Sequence, residues 1–300
     1  LRVIEELILT EILRPMDFRE WLFPKLIPFE VMRKMPGYFE ELAEGMLYVA
    51  HAPRDPTALA DFKKKAKIAK VIDSELAKKE LEPPEYVMAP AQCEPFYQFF
   101  SGEYVVKDFL PIKVFDKSGW TYRWEGGGVA GLTRTTEFLR IECVWIGMPK
   151  QVVGIRDEMV DRTFEFCDKT LDLEVRVTVG APFYMTSDVA SKTFIDISKS
   201  ENIPAKDIEV YLPFRGSREE AEWLELNSIN VHRDKYVKSF GIREASGEVI
   251  WTGCNGYGLT RYLAAFLATH GFNVEDWPKK VREKYLELKP REIKLLNWPR

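Results

Sequence analysis

Between Thr121 and Trp145 the chain reads TYRWEGGGVAGLTRTTEFLRIECVW, a strand, a glycine-rich hairpin loop and a returning strand. Alternate residues of a strand share a face, so Arg123 and Glu125 project together from the first strand, and Phe138, Arg140 and Glu142 from the second. Guanidiniums held on such a surface can stabilise negative charge as it develops on a bound reactant. A solvent-facing, salt-bridged hairpin would use the same residue types. It leaves the run Gly126-Gly127-Gly128 and the neighbouring Arg134 without a purpose. A second glycine-rich stretch, Gly253-Cys254-Asn255-Gly256-Tyr257-Gly258-Leu259-Thr260-Arg261, leads from a strand into a helix and permits close approach of the backbone to a ligand.

These groups need a framework, and the 300 residues suffice for one large catalytic domain or two modest ones. Composition is that of a globular protein, 46% hydrophobic and 30% charged. A net charge of −4 gives no global sign of a nucleic-acid binder and leaves local basic clusters open. No apolar run approaches the roughly 20 residues that span a bilayer. The four cysteines, Cys93, Cys143, Cys167 and Cys254, form no CxxC pair, and reduced thiols in a cytoplasmic protein are the expectation. Scattered thiols of this kind are usually small buried hydrophobes.

Apolar spacing predicts an amphipathic helix over 1–14, ended by Pro15, then a strand entry over 18–28 and a short helix near 38–47. Residues 54–84 form a lysine- and alanine-rich helical insertion stopped by Pro83-Pro84, either a solvated face or a mobile lid. Short strands are expected from 86 to 145, over 171–179 and 249–254, and more weakly over 208–212. Helices are expected over 258–270 and 278–288. Adjoining strands with helices around them give an α+β domain built on an antiparallel sheet. No GxGxxG leads from a strand into a helix, since the run Gly126 to Gly131 joins two strands of a hairpin, and GxxxxGK[ST] does not occur, which removes the dinucleotide and P-loop readings.

The order of these pieces resembles the class II aminoacyl-tRNA synthetases. Tyr122-Arg123-Trp124-Glu125 and Arg134-x-x-x-Phe138-x-x-x-Glu142 are similar to the two halves of motif 2. The stretch Gly253 to Arg261 resembles motif 3, and Phe18-Arg19-Glu20 through Pro24 the weaker motif 1. The resemblance implies a class II antiparallel sheet flanked by helices, with a small helix-turn-helix-like insertion. It also implies that Arg123 contacts the α-phosphate of ATP. Phe138 and Arg261 would hold adenine, and Glu125, Arg134 and Arg140 would complete the catalytic set. Trp223-Leu224-Glu225-Leu226-Asn227-Ser228 resembles the segment that supplies Mg²⁺ ligands, which makes Glu225 and Ser228 candidates.

Within that family the spelling TEFLRIECVWIG and the insertion resemble the zinc-dependent seryl branch of methanogenic archaea. There the implied metal ligands are Cys93, Glu142 and Cys254, three donors with an open fourth position for the amino group of serine. Cys143 and Cys167 are read as structural. The branch implies serine, ATP and tRNA(Ser) as partners, a homodimer and no membrane. It also implies an N-terminal tRNA-binding domain lying outside this chain. The 180–187 segment, GAPFYMTS, is a candidate for recognising the serine hydroxyl. Two alternatives stay open: a stand-alone ligase that activates glycine or alanine for a carrier protein, and a non-catalytic regulatory binder. The intact arginine set argues against the second.

Overall fold

The computed structural model describes residues 1–70, 72–124, 126–180 and 199–289. Its centre is an eight-stranded sheet in the order Arg19–Glu20, Ile112–Asp116, Glu137–Gly147, Trp251–Gly258, Leu224–Arg233, Ala205–Val210 and Val175–Gly180. Trp120–Tyr122 pairs with the outer part of the long third strand. All pairings are antiparallel except that of Arg19–Glu20 with Ile112–Asp116.

Alternation in the strand Glu137–Gly147 divides the interior. Ile141, Cys143 and Trp145 point to a core shared with the helices, while Val144 and Ile146 point to a second core on the opposite face. The first core is closed by helix Arg2–Ile8 with its π-helical continuation Leu9–Leu13, by helix Leu259–His270, and by helix Pro149–Glu165. The last of these was not anticipated above. Pro149 sits where a missing N–H costs nothing, and Gln151 Oε1 accepts the Met148 N–H at 2.8 Å. Its buried face, Val152, Ile155, Met159 and Val160, follows helical spacing, and each such side chain stabilises by roughly 1.5–3 kcal/mol. Cys143 and Cys167 are fully buried in this core, as structural thiols should be.

The second core gathers Phe96, Tyr97, Phe100, Tyr236 and Phe240 over the other face, with Trp21 stacked on Phe100. A small sheet, Leu26–Pro28, Tyr86–Met88 and Tyr48–Val49, joins it and is tied to the hairpin by Tyr122 N–H to Ala89 O and Trp124 N–H to Gly45 O.

Several boundaries differ from the sequence reading. The strand expected over 171–179 is Val175–Gly180, because Leu171 and Leu173 are drawn into the first core before pairing starts. The helix near 38–47 is one turn, Tyr38–Glu41, followed by a 3₁₀ turn. Cys93 was placed among short strands and instead caps helix Glu94–Phe99, whose Pro95 suits a first turn. The insertion at 54–84 holds two helices, Ala60–Ala69 and Ser74–Lys78, with no buried residue in either.

Candidate functional site

Arg123 leaves strand Trp120–Tyr122 just past its end, and its Nε donates to Pro90 O at 2.9 Å. Its guanidinium lies 5.9 Å from the centre of the Phe138 ring. Across the loop, Arg134 Nη1 donates to Gly127 O, and a Cβ on Gly127 would overlap that guanidinium. Glycine leaves the room in which Arg134 makes this contact between the two limbs of the hairpin. Arg261 sits in the first turn of helix Leu259–His270. It donates through Nε to Thr133 O at 3.1 Å and through Nη1 to Glu225 O at 3.0 Å, and pairs with the Glu225 carboxylate at 3.3 Å. A helix N-terminus, three guanidiniums and a carboxylate therefore frame one opening, an electrostatic setting for phosphate with a counter-cation.

One cavity of about 240 Å³ is lined by Arg123, Arg134, Phe138, Arg140, Glu225, Ser228 and Arg261, and by Cys93 and Cys254. Among the described residues, the predicted site members thus meet in one place, with Glu142 just beneath. Glu125 and residues 181–187 of the expected hydroxyl-binding segment lie outside the described residues. Among the described residues, none of 54–84 lines the cavity.

The deep end is made by the sheet itself. Cys254 and Glu142 come from neighbouring strands in register, since Glu142 pairs with Gly256 and Val144 with Cys254. Cys93 arrives from the helix cap opposite. Their ligand atoms all lie within 4.8 Å of one another, and all three residues are buried. A Cβ on Gly256 would collide with the Arg140 guanidinium, so this glycine leaves the space in which Arg140 reaches Glu142, Nη2 to Oε2 at 2.7 Å. That contact is an ion pair outside hydrogen-bond geometry, and neither Glu142 oxygen has a hydrogen-bond partner.

Burial pushes the Glu142 carboxyl up to about 8 against the pull of Arg140. The hydrogen bond it shares with Cys254, then burial, raises Cys93 well above an ordinary thiol. For Cys254 that bond acts the other way, and burial still leaves it raised. Three acids gathered out of water are held protonated by one another and by desolvation. A divalent cation among them would reverse this, and two thiolates with a carboxylate are a donor set for zinc with an open position. Glu142, whose carboxyl has an ion pair with Arg140 but no hydrogen bond among the described residues, fits that ligand, and its desolvation costs stability until a further partner meets it.

Sequence reasoning missed the wall beside this triad. His232 Nε2 lies 3.5 Å from Cys254 Sγ, and burial lowers its imidazole to about 3, so it stands there neutral. Tyr38, Asn230 and Tyr236 also line the cavity. The signal was present in the alternation from Ser228 through Asn230 to His232 along one strand. Motif 1 contributes no lining residue, since Arg19 and Glu20 form a two-residue edge strand exposed to solvent.

Residues 77–270 match the family described as tRNA synthetase class II core domain (G, H, P, S and T). The chain is 44% identical over 300 residues to the Type-2 serine–tRNA ligase of Methanocaldococcus jannaschii, covering 100% of this chain and 56% of that protein. It is 41% identical to that of Methanopyrus kandleri over 99% of this chain and 57% of the relative. It thus spans little more than half the length of these relatives. The M. kandleri SerRS structure in complex with A. aeolicus tRNASec matches with a TM-score of 0.88 at 41% identity, over 100% of this chain and 57% of that one. A Naegleria fowleri cytoplasmic serine–tRNA ligase with AMP shares the fold at a TM-score of 0.68 and 17% identity, over 94% of this chain and 51% of that one. The chain belongs to the class II tRNA synthetase core family.

Proposed function

We propose that this chain is the catalytic core of a serine–tRNA ligase, which condenses serine with ATP to seryl-adenylate and passes the seryl group to tRNA(Ser). The observation that carries the reading is the union, in one cavity, of the Cys93–Glu142–Cys254 triad with the guanidiniums of Arg123, Arg134 and Arg261. The names of the relatives support it.

Cys93, Glu142 and Cys254 would hold zinc, which when bound supplies a Lewis-acid seat for the amino group of the substrate. Arg140, paired to Glu142, balances the charge of that ligand on the buried side. The serine carboxylate attacks the α-phosphorus of ATP, a P–O bond forms, and the bond to pyrophosphate breaks. Arg123 is assigned to the α-phosphate, where fixed positive charge stabilises the displacement. Phe138 stacks the adenine with Arg261, whose hold on Glu225 must loosen as the nucleotide enters. Arg134 and Glu125 complete the nucleotide site. Glu225 and Ser228 are the assigned Mg²⁺ ligands, oxygen donors suited to a hard cation that keeps several waters. The protein is assigned to the cytoplasm as a homodimer. Residues 1–300 form one catalytic domain with the helical insertion at 54–84, and tRNA docking rests mainly on a domain beyond them. Among the described residues, no helix is long and apolar enough to cross a membrane.

Serine-dependent ATP–pyrophosphate exchange, run beside glycine and alanine and repeated with a zinc-selective chelator while Mg²⁺ is kept in excess, tests the proposal. Exchange strongest with serine and lost on chelation is expected. A preference for glycine or alanine moves the core to a carrier-protein ligase. Exchange that survives complete removal of zinc, with Mg²⁺ still present, overturns the triad's role.

A further inference from the structure

The floor of the cavity does not end at Cys254. Cys254 pairs with Asn230, Asn230 with Ala205, and Ala205 with Gly180, across three strand boundaries. One row over, Ser228 pairs with Asp207 and Asp207 with Thr178. Directly paired residues stand on the same face, so Asp207 shares the face that carries Ser228 into the cavity.

Asp207 is only 9% exposed, and its Oδ1 has no hydrogen-bond partner among the described residues. Its carboxylate occupies the space that a side chain at 180 would fill, for a Cβ on Gly180 would overlap it. Ser228, its directly paired neighbour, stands against this carboxyl. Ser228 Oγ also lies 3.3 Å from Asn230 Nδ2, which donates at 2.8 Å to Ser228 O. The hydroxyl is thus approached by a donor on one side and an acceptor on the other. Glu225 places a second carboxylate close by. A buried carboxylate with an unmet oxygen beside a second carboxylate is costly unless a cation or its waters complete the site.

We propose that Asp207 is a positioning residue for the divalent cation assigned to Glu225 and Ser228: it takes the Ser228 hydroxyl proton in a hydrogen bond, turns the remaining lone pair of that oxygen to the ion, and accepts through Oδ1 from an ion-bound water. The inference rests on the magnesium assignment above. Magnesium sheds water reluctantly, so an acceptor one shell out is a natural part of its seat. Groups of this kind change metal affinity about 10–100-fold when removed.

Manganese, followed by electron paramagnetic resonance on the whole chain with ATP present, is the probe. Asp207→Asn keeps an acceptor for Ser228 and turns the unmet oxygen into a donor. Gly180→Ala displaces the carboxylate without removing a polar group. Both are expected to weaken Mn²⁺ binding about tenfold. Zinc content should stay at the wild-type value, and the Mg²⁺ concentration for half-maximal exchange should rise in step while the rate recovers at high Mg²⁺. If Asp207→Asn does not fold, Gly180→Ala alone carries the reading. Mn²⁺ affinity within twofold of wild type in the folded variants overturns the role of Asp207 while the magnesium assignment stands. A wild-type chain with no ATP-dependent Mn²⁺ site, or a Glu225→Gln chain that binds as tightly, overturns that assignment and the inference with it.

Discussion

The two ends of the cavity are built in opposite ways. At the deep end, Glu142 and Cys254 come from the middle of paired strands and Cys93 from a helix cap. All three are buried and stand too close together to be charged without help, with the half-buried Arg140 against Glu142. At the open end, Arg134 and Arg261 come from a hairpin limb and a helix start, are partly exposed, and are occupied by contacts to Gly127 O, Thr133 O and Glu225. Rigidity at one end suits the proposed role of holding a small substrate by its amino group. Exchangeable contacts at the other suit a polyanion that has to enter and leave. The contrast teaches that desolvation sets the chemistry of the triad, while geometry and exchange of partners set that of the nucleotide end.

The sharpest way to break this contrast is at the deep end. Cys254→Ala is expected to lose bound metal and to lower serine-dependent exchange more than about 100-fold, beyond the effect of an outer-shell change. Metal content and exchange measured on one preparation check it. Arg123→Ala, at the open end, is expected to lower the rate about 10²–10³-fold with metal content unchanged. The pair separates the two ends by metal retention.

A smaller effect sharpens the boundary between them. Gly256→Ala should drive Arg140 from its place against Glu142 and cost about tenfold in metal affinity, as loss of an outer-shell partner does. A competitive chelator titration reads it. Cys143→Ala lies one residue from Glu142 yet faces the helical core. It should retain metal and destabilise by roughly 1 kcal/mol in a denaturant melt, the commonest size of a single-residue effect.

How much of this was legible follows the same division. The strands at the deep end announced themselves because alternation from Phe138 through Arg140 to Glu142 is local, and Gly253 to Arg261 marks a strand running straight into a helix. Sequence spacing could not say that Cys93 and Cys254, 161 residues apart by their numbers, would meet, and the resemblance to a known family alone suggested it. Helix Pro149–Glu165 was passed over although Val152, Ile155 and Met159 keep helical spacing, because Gly154 and a charged outer face dilute the signal. His232 and Asp207 stayed hidden for a different reason. Each is one of several polar residues on its strand, and its meaning comes from the neighbours that pairing supplies, Cys254 for one and Ser228 for the other. Motif 1, by contrast, was legible only as a motif, since its two-residue strand reaches no part of the cavity.

The most direct test of the central claim is X-ray absorption at the zinc edge on the purified chain, before and after serine is added. Two sulfur donors at about 2.3 Å and one or two oxygen or nitrogen donors near 2.0–2.2 Å are expected, with an added nitrogen when serine binds. A chain that binds no zinc, or binds it without sulfur, would contradict the assignment of Cys93, Glu142 and Cys254.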